Sequence, residues 1–374
     1  MQPKYYNMRV GLLIAALCWG IAIQPATADY KVLHNFTDSP NDGAEPSGAL
    51  TLSGSTLYGM TPYGGNSSNG VVFKVNIDGA GHTILHNFRG GTGDGVRPFG
   101  SLTLSGSTLF GMTVSGGSHG WGVIFKINID GTGYKILHNF AASPDGTGPR
   151  GSLTLSGSTL YGMAYQGGSN GIGGMAISGM MFKMNTDGTG YKIIHSFGWP
   201  GDGFGPLGSL TASGSTLYGM TSAGGGGAVG GDGGVVFKVN SDGTGYNILH
   251  HFDAYFDPSD GYQPRGALTL SGSTLYGMTS EGGSHKWGVI FKVNIDGTGY
   301  KILHNFAGGT ADGHMPFYGS LSLSGSTLYG MTLGGGVNRG GVVFKINKDG
   351  TGYTLLHNFD HRSCGYPYGS LRLS

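Results

Sequence analysis

One block of about fifty residues recurs along nearly the whole chain, and this repetition constrains the fold more than any other feature. The histidine of a Leu-His-Asn-Phe-like landmark stands at His34, His86, His138, His195, His250, His304 and His357, with separations of 52, 52, 57, 55, 54 and 53 residues. Periods near fifty suit propeller blades. Each repeat divides into four short segments with strand character, which in the second complete copy span residues 100–106, 107–113, 122–128 and 134–140. These segments, called A to D, are rich in Val, Ile, Leu, Tyr, Phe and Thr and are separated by Gly, Ser, Asn and Asp. The A to B join is Ser-Gly-Ser and the C to D join is Asn-x-Asp-Gly-Thr-Gly, both short enough for hairpins. The 78 glycines of the 374 residues fit many tight turns.

A lone four-stranded sheet cannot hide two apolar faces, yet Val123, Phe125 and Ile127 point one way while Ile124 points the other. Stacking blades face to face solves this, and closing the stack into a ring leaves only short sheet edges. The sequence therefore predicts an all-β fold, a β-propeller of four-stranded antiparallel blades. Six complete units lie between a D-like piece at residues 30–36 and an A-like piece at residues 369–374. The expected arrangement is seven blades with the closing blade incomplete, lacking B and C because the chain is truncated. A six-blade ring with loose ends is the alternative.

The first 28 residues read as a secretory signal. Lys4 and Arg9 supply the positive start, residues 11–23 an apolar run, and Ala26-Thr27-Ala28 a small-residue cleavage site. The run is too short to span a bilayer, so no transmembrane segment is expected in the mature chain, residues 29–374. Removal of Cys18 leaves Cys364 as the sole cysteine and excludes an intramolecular disulfide. The 21 basic residues, less Lys4 and Arg9, face 20 acidic ones with no basic run, which argues against nucleic acid or an anionic membrane as partner.

The motif resembles the GloVer (Gloeo/Verruco) extracellular tandem repeat. One cycle reads Leu57-Tyr58-Gly59-Met60-Thr61, Gly64-Gly65, Gly70-Val71-Val72-Phe73-Lys74, Leu85-His86-Asn87-Phe88 and Asp94-Gly95-Val96-Arg97-Pro98. The resemblance implies an exported, often surface-attached protein whose biochemical role the family does not supply. The Gly-Gly and strand pattern is also similar to kelch repeats, which supports the propeller alone.

Chemistry is less legible. Seven equivalent histidines point to packing rather than coordination. The turn Asn128-Ile129-Asp130-Gly131-Thr132-Gly133 fails the calcium-loop register, with Lys126 at the first ligand position and Leu137 at the twelfth. The aspartates of Asp-Gly-x-x-Pro (Asp42, Asp94, Asp145, Asp202, Asp260, Asp312) read as turn residues. Only Glu45 and Glu281 are available in the mature chain as glutamates for glycoside hydrolysis, and they lie in distant copies. No nucleophile elbow, phosphate loop or Cys-x-x-Cys occurs. No catalytic residue, metal ligand or cofactor is assigned.

Strand alternation places the D to A and B to C connections on one face of the disc, and these vary between copies while the opposite turns scarcely change. The longest B to C loops span residues 166–179 and 223–234. On the variable face, Trp121 and Trp287 occupy equivalent loop positions, and Arg97, Arg150 and Arg265 lie beside the repeat prolines, where they could converge on a carboxylate or sulfate. Trp199, Tyr255 and Tyr262 are further aromatic residues of this face. The expected function is that of a secreted or cell-surface module, non-enzymatic, binding a glycan or a cell-surface protein through this face. A polysaccharide hydrolase or lyase is the alternative, and it requires His119, His285 and His314, or the three arginines, to converge.

Overall fold

In a computed structural model, residues 9–12, 30–38, 40–169, 178–198, 201–226, 232–253, 259–360 and 367–373 are described. Six four-stranded antiparallel sheets follow one another around a ring, each with strands in the chain order A-B-C-D. Blade 1 spans residues 51–87, blade 2 103–139, blade 3 154–196, blade 4 211–253, blade 5 269–305 and blade 6 322–360. The protein is a β-propeller with six complete blades.

In blade 2 the strands are Thr103–Ser105, Thr108–Gly116, Val123–Asn128 and Lys135–Asn139. Strand A is shorter than the sequence suggests. Just before it, the Ser101 backbone N–H donates to Ser152 Oγ of the neighbouring blade instead of pairing with strand B, and the side chain of Thr103, the first residue of the strand, donates from Oγ1 to the Leu153 carbonyl. The same two bonds recur from Ala49 to Ser101 and from Thr51 to Leu102. Glycine is required here because the A segments crowd the axis. A Cβ on Gly100 would lie 2.4 Å from the Gly151 carbonyl oxygen, and one on Gly151 would lie 2.0 Å from that of Gly208.

Both faces of strand C are buried, as the alternation of Val123, Ile124, Phe125 and Ile127 demands; all four are fully shielded from solvent. Tyr58, Met60, Val72 and Phe88 of blade 1 pack on Leu102, Leu109, Val123, Phe125 and Ile127 of blade 2. Equivalent clusters join each later pair up to blades 5 and 6. Each such side chain contributes about 1.5–3 kcal/mol of transfer free energy, so the interfaces between blades dominate stability.

The flanking pieces lie between blades 6 and 1. Strand Lys31–Asn35 pairs with Arg9–Leu12, and the register, with its shift after the second pair, repeats the C to D register of the complete blades. Phe36 packs on Leu57, Val71, Phe73 and Val75 of blade 1. On the other side, Ser320 N–H of blade 6 donates to Ser370 Oγ, and a Cβ on Gly369 would lie 2.6 Å from the Ser47 carbonyl oxygen. Blade 6 remains poorly covered: Tyr329 and Met331 are half-buried, whereas Tyr58 and Met60 at the same places in blade 1 are buried.

Candidate binding site at the channel mouth

The D to A and B to C loops do share one face. Short ribbons stitch them together, Gly43–Ala44 with Tyr63–Gly64, Gly261–Tyr262 with Glu281–Gly282, and Gly313–His314 with Gly334–Gly335. Where the D to A loops leading into blades 1 to 6 turn down into strand A, the frame Pro-x-Gly-Ser or Pro-x-Gly-Ala brings the residue before glycine to the axis, with blade 6 carrying one extra residue, Phe317; in the seventh frame, Pro367-Tyr368-Gly369-Ser370, Tyr368 does not line the cavity. Ser47, Phe99, Arg150, Leu207, Arg265 and Tyr318 occupy that position and line one cavity of about 120 Å³, floored by Gly48, Gly100, Gly151, Gly208, Gly266 and Gly369. The frame is nearly constant while the residue at the axis differs in almost every copy.

The mouth is aromatic on one side and cationic on the other. Phe99 and Tyr318 meet edge to face with ring centroids 5.3 Å apart. The Arg150 guanidinium carbon stands 5.9 Å from the Phe99 ring centre and 5.5 Å from that of Tyr165, and Arg265 lies 4.2 Å over Phe317. Arg265 also donates from Nη2 to Gln263 Oε1. Among the described residues, the buried Nε atoms of both arginines have no hydrogen-bond partner and no carboxylate forms an ion pair with either guanidinium.

The structure therefore unites two of the three arginines singled out in the sequence. Arg97 precedes its proline instead of following it, stays exposed, and sits 5.3 Å from the Tyr63 ring away from the cavity. Trp121 and Trp287 are exposed at 48% and 42% and are not among the residues that line the cavity. Trp287 rests against His314, with ring centroids 4.8 Å apart. His119 and His285 each bond the serine before them, and neither they nor His314 make a described contact with one another. Trp199, Tyr255, Cys364 and much of the two longest B to C loops lie outside the described residues.

What sequence reasoning missed is the pairing of the repeated histidine with the repeated aspartate. His86 Nε2 lies 3.1 Å from Asp94 Oδ2, while Asp94 also accepts bonds from Arg89 N–H, Gly95 N–H and the Tyr134 hydroxyl at 2.6 Å. Tyr134 belongs to the next blade and stacks on His86, with ring centroids 3.8 Å apart. Thus each unit clamps the following interface. The pattern recurs with Asp145 and His138, and with Asp312, His304 and Tyr353. The stack also crosses the seam, since His357 of blade 6 lies on Tyr30 at 4.1 Å and His34 lies on His82 of blade 1 at 3.6 Å. The signal was present in the sequence as a constant tyrosine after Gly-Thr-Gly.

Burial pushes the carboxyl groups of Asp94, Asp145 and Asp312 up, but the bonds from their histidines, with those from the clamp's tyrosines and backbone N–H groups, outweigh it and hold them below the usual range. A carboxyl group depressed in the folded state stabilises above its unfolded pKa, about 3.9, and that stability is lost as pH falls through the folded value. The melting temperature should thus be insensitive to these groups from pH 7 to 5 and fall below about pH 4. Scanning calorimetry across that range checks this, and Asp94→Asn should flatten the acid limb.

His34, Asp42 and His82 place ligand-type atoms within 4.8 Å of one another. The two imidazole planes are only 8° from parallel, so their lone pairs run side by side and do not converge on a common ion. The trio is the seam version of the clamp, with His82 in place of tyrosine and its Nε2 3.8 Å from Asp42.

The family model of the Gloeobacter/Verrucomicrobia repeat matches residues 21–231, 78–271 and 226–374, overlapping across nearly the whole chain. The chain belongs to this repeat family. No curated protein matches it. Among solved structures, this member of the Gloeobacter/Verrucomicrobia repeat family is similar to a putative 6-phosphogluconolactonase from Bacteroides fragilis, with 16% identity over 90% of each chain and a TM-score of 0.56. A second putative 6-phosphogluconolactonase, from Bacteroides uniformis, aligns with 18% identity over 88% of this chain and 92% of that one, with a TM-score of 0.52. Oligogalacturonate lyase from Vibrio parahaemolyticus aligns with 12% identity over 84% and 77%, with a TM-score of 0.50. At these identities the likeness speaks for the propeller fold and carries no activity across.

Proposed function

We propose that this chain is an exported, non-enzymatic binding module that meets a glycan or cell-surface protein through its variable loop face. The observation carrying this reading is the channel mouth, where a nearly constant Pro-x-Gly frame presents Ser, Phe, Arg, Leu, Arg and Tyr in turn. Packing alone would favour one residue at equivalent places, as it does for the buried Phe of every strand C. Diversity at the axis supports recognition. The repeated Asp and His groups, the main acid and base candidates, are tied into clamps between blades, which leaves them a structural task. A glycan and surface-protein array, probed with the wild-type protein and with a Trp121→Ala/Trp287→Ala variant, tests the reading. Selective binding that drops at least about tenfold in the variant is expected. Equal binding by both would remove the two tryptophans from the surface.

We also infer that the ring has seven positions, the seventh formed by the strand at Lys31–Asn35 and the A-like piece ending at residue 373. Support comes from the stacks His357 on Tyr30 and His34 on His82, which continue the sequence of clamps around the seam. Arg9–Leu12 takes the C position beside Lys31–Asn35, and the half-exposed Tyr329 and Met331 mark where strand B of that blade would pack.

A further inference from the structure

We propose that the channel mouth is a site for a small organic carboxylate, bound end-on between Arg150 and Arg265. This rests on the reading of the loop face as a recognition surface and names its chemistry. Arg150 and Arg265 flank the same cavity, two blades apart, with Leu207 between them. Neither has a described acidic partner, although 20 acidic residues are available in the chain and six aspartates recur on this very face. Those aspartates are turned into the interfaces between blades, so among the described residues no acidic side chain compensates the positive charge at the mouth.

A guanidinium kept over an aromatic ring is held in place while its remaining N–H groups can bond an anion; on Arg265 one Nη2 hydrogen is taken by Gln263 Oε1, which leaves Nη1 and the second Nη2 hydrogen. Arg150 beside Phe99 and Tyr165, and Arg265 over Phe317, are both held this way. Their planar forks match the two oxygens of a carboxylate, and two forks on one anion add geometric selectivity. The Phe99 and Tyr318 rings meet at 5.3 Å on the facing side and offer an apolar wall to the carbon skeleton carrying the carboxylate. A cavity of about 120 Å³ is well below the size of pockets that engulf a drug-sized ligand, so it admits the head group and adjoining ring atoms while the remainder lies across the loop face.

The test is calorimetric titration of the full chain with D-glucuronate, D-glucose and sulfate as probes. Glucuronate and glucose share a ring and differ by carboxylate against hydroxymethyl; sulfate carries charge without a ring. Glucuronate is expected to bind at least about tenfold more tightly than either, and more weakly at 500 mM than at 50 mM salt because the interaction is charge-assisted. Arg150→Gln and Arg265→Gln should each weaken it about tenfold or more with an unchanged melting temperature, whereas Arg97→Gln should leave it intact. Glucose binding as well as glucuronate, sulfate binding as well as glucuronate, or indifference to Arg150→Gln and Arg265→Gln would overturn the site. No glucuronate binding, with array ligands still captured, would overturn this inference alone; loss of both would overturn the binding function as well.

Discussion

Extending the chain past Ser374 with residues 106–128, the B and C strands of blade 2, is expected to raise the melting temperature by about 5–10 °C. Ser374 stands where Ser105 stands in blade 2, so the graft continues the repeat in register. It brings the counterparts of Leu109, Phe110, Met112, Val123, Ile124, Phe125 and Ile127, all buried in blade 2, against the under-covered Tyr329 and Met331 of blade 6 and the back of blade 1. Each contributes about 1.5–3 kcal/mol in transfer, offset in large part by ordering the added residues, which leaves a net gain of a few kcal/mol. The grafted C strand must take the edge of Lys31–Asn35 now paired with Arg9–Leu12. An unchanged midpoint would mean that six blades close by themselves, contrary to the inferred seventh position.

Asp94→Ala is expected to cost about 3 kcal/mol and lower the melting temperature by about 5 °C. The substitution strands His86 Nε2, the Tyr134 hydroxyl and two backbone N–H groups at one interface between blades. Asp312→Ala should act alike, through His304 and Tyr353. Asp130→Ala supplies the contrast. That residue caps an exposed C to D turn through Thr132, so its loss should scarcely move the midpoint. Equal effects from Asp94→Ala and Asp130→Ala, read by calorimetry, would contradict the clamp.

The architecture was legible because every blade repeats the same alternation, and a strand buried on both faces leaves a distinctive run such as Val123-Ile124-Phe125-Lys126-Ile127. Strand A misled slightly, since residues 100–102 have strand-like composition but Ser101 and Leu102 bond the neighbouring blades: Ser101 N–H donates to Ser152, while Ser101 Oγ and the Leu102 carbonyl accept from Ala49 and Thr51. The clamp was hidden for a different reason. An aspartate before glycine is fully accounted for by turn chemistry, and only folding reveals that it closes on a histidine seven to ten residues earlier and on a tyrosine some forty or more residues later. At the mouth, the sequence pointed to arginines beside prolines but not to the difference between neighbours. Arg150 and Arg265, which follow their prolines and precede glycine, reach the axis; Arg97, which precedes its proline, turns outward.

Recognition without turnover is the central claim, and the measurement that meets it most directly is a product assay on whichever array ligand the protein captures. Prolonged incubation of the full chain with that ligand, followed by mass spectrometry, is expected to return the ligand unchanged, with binding lost in Arg150→Gln. Release of a cleaved product by the wild-type protein, abolished by the same substitution, would contradict the account and make the channel mouth an active site.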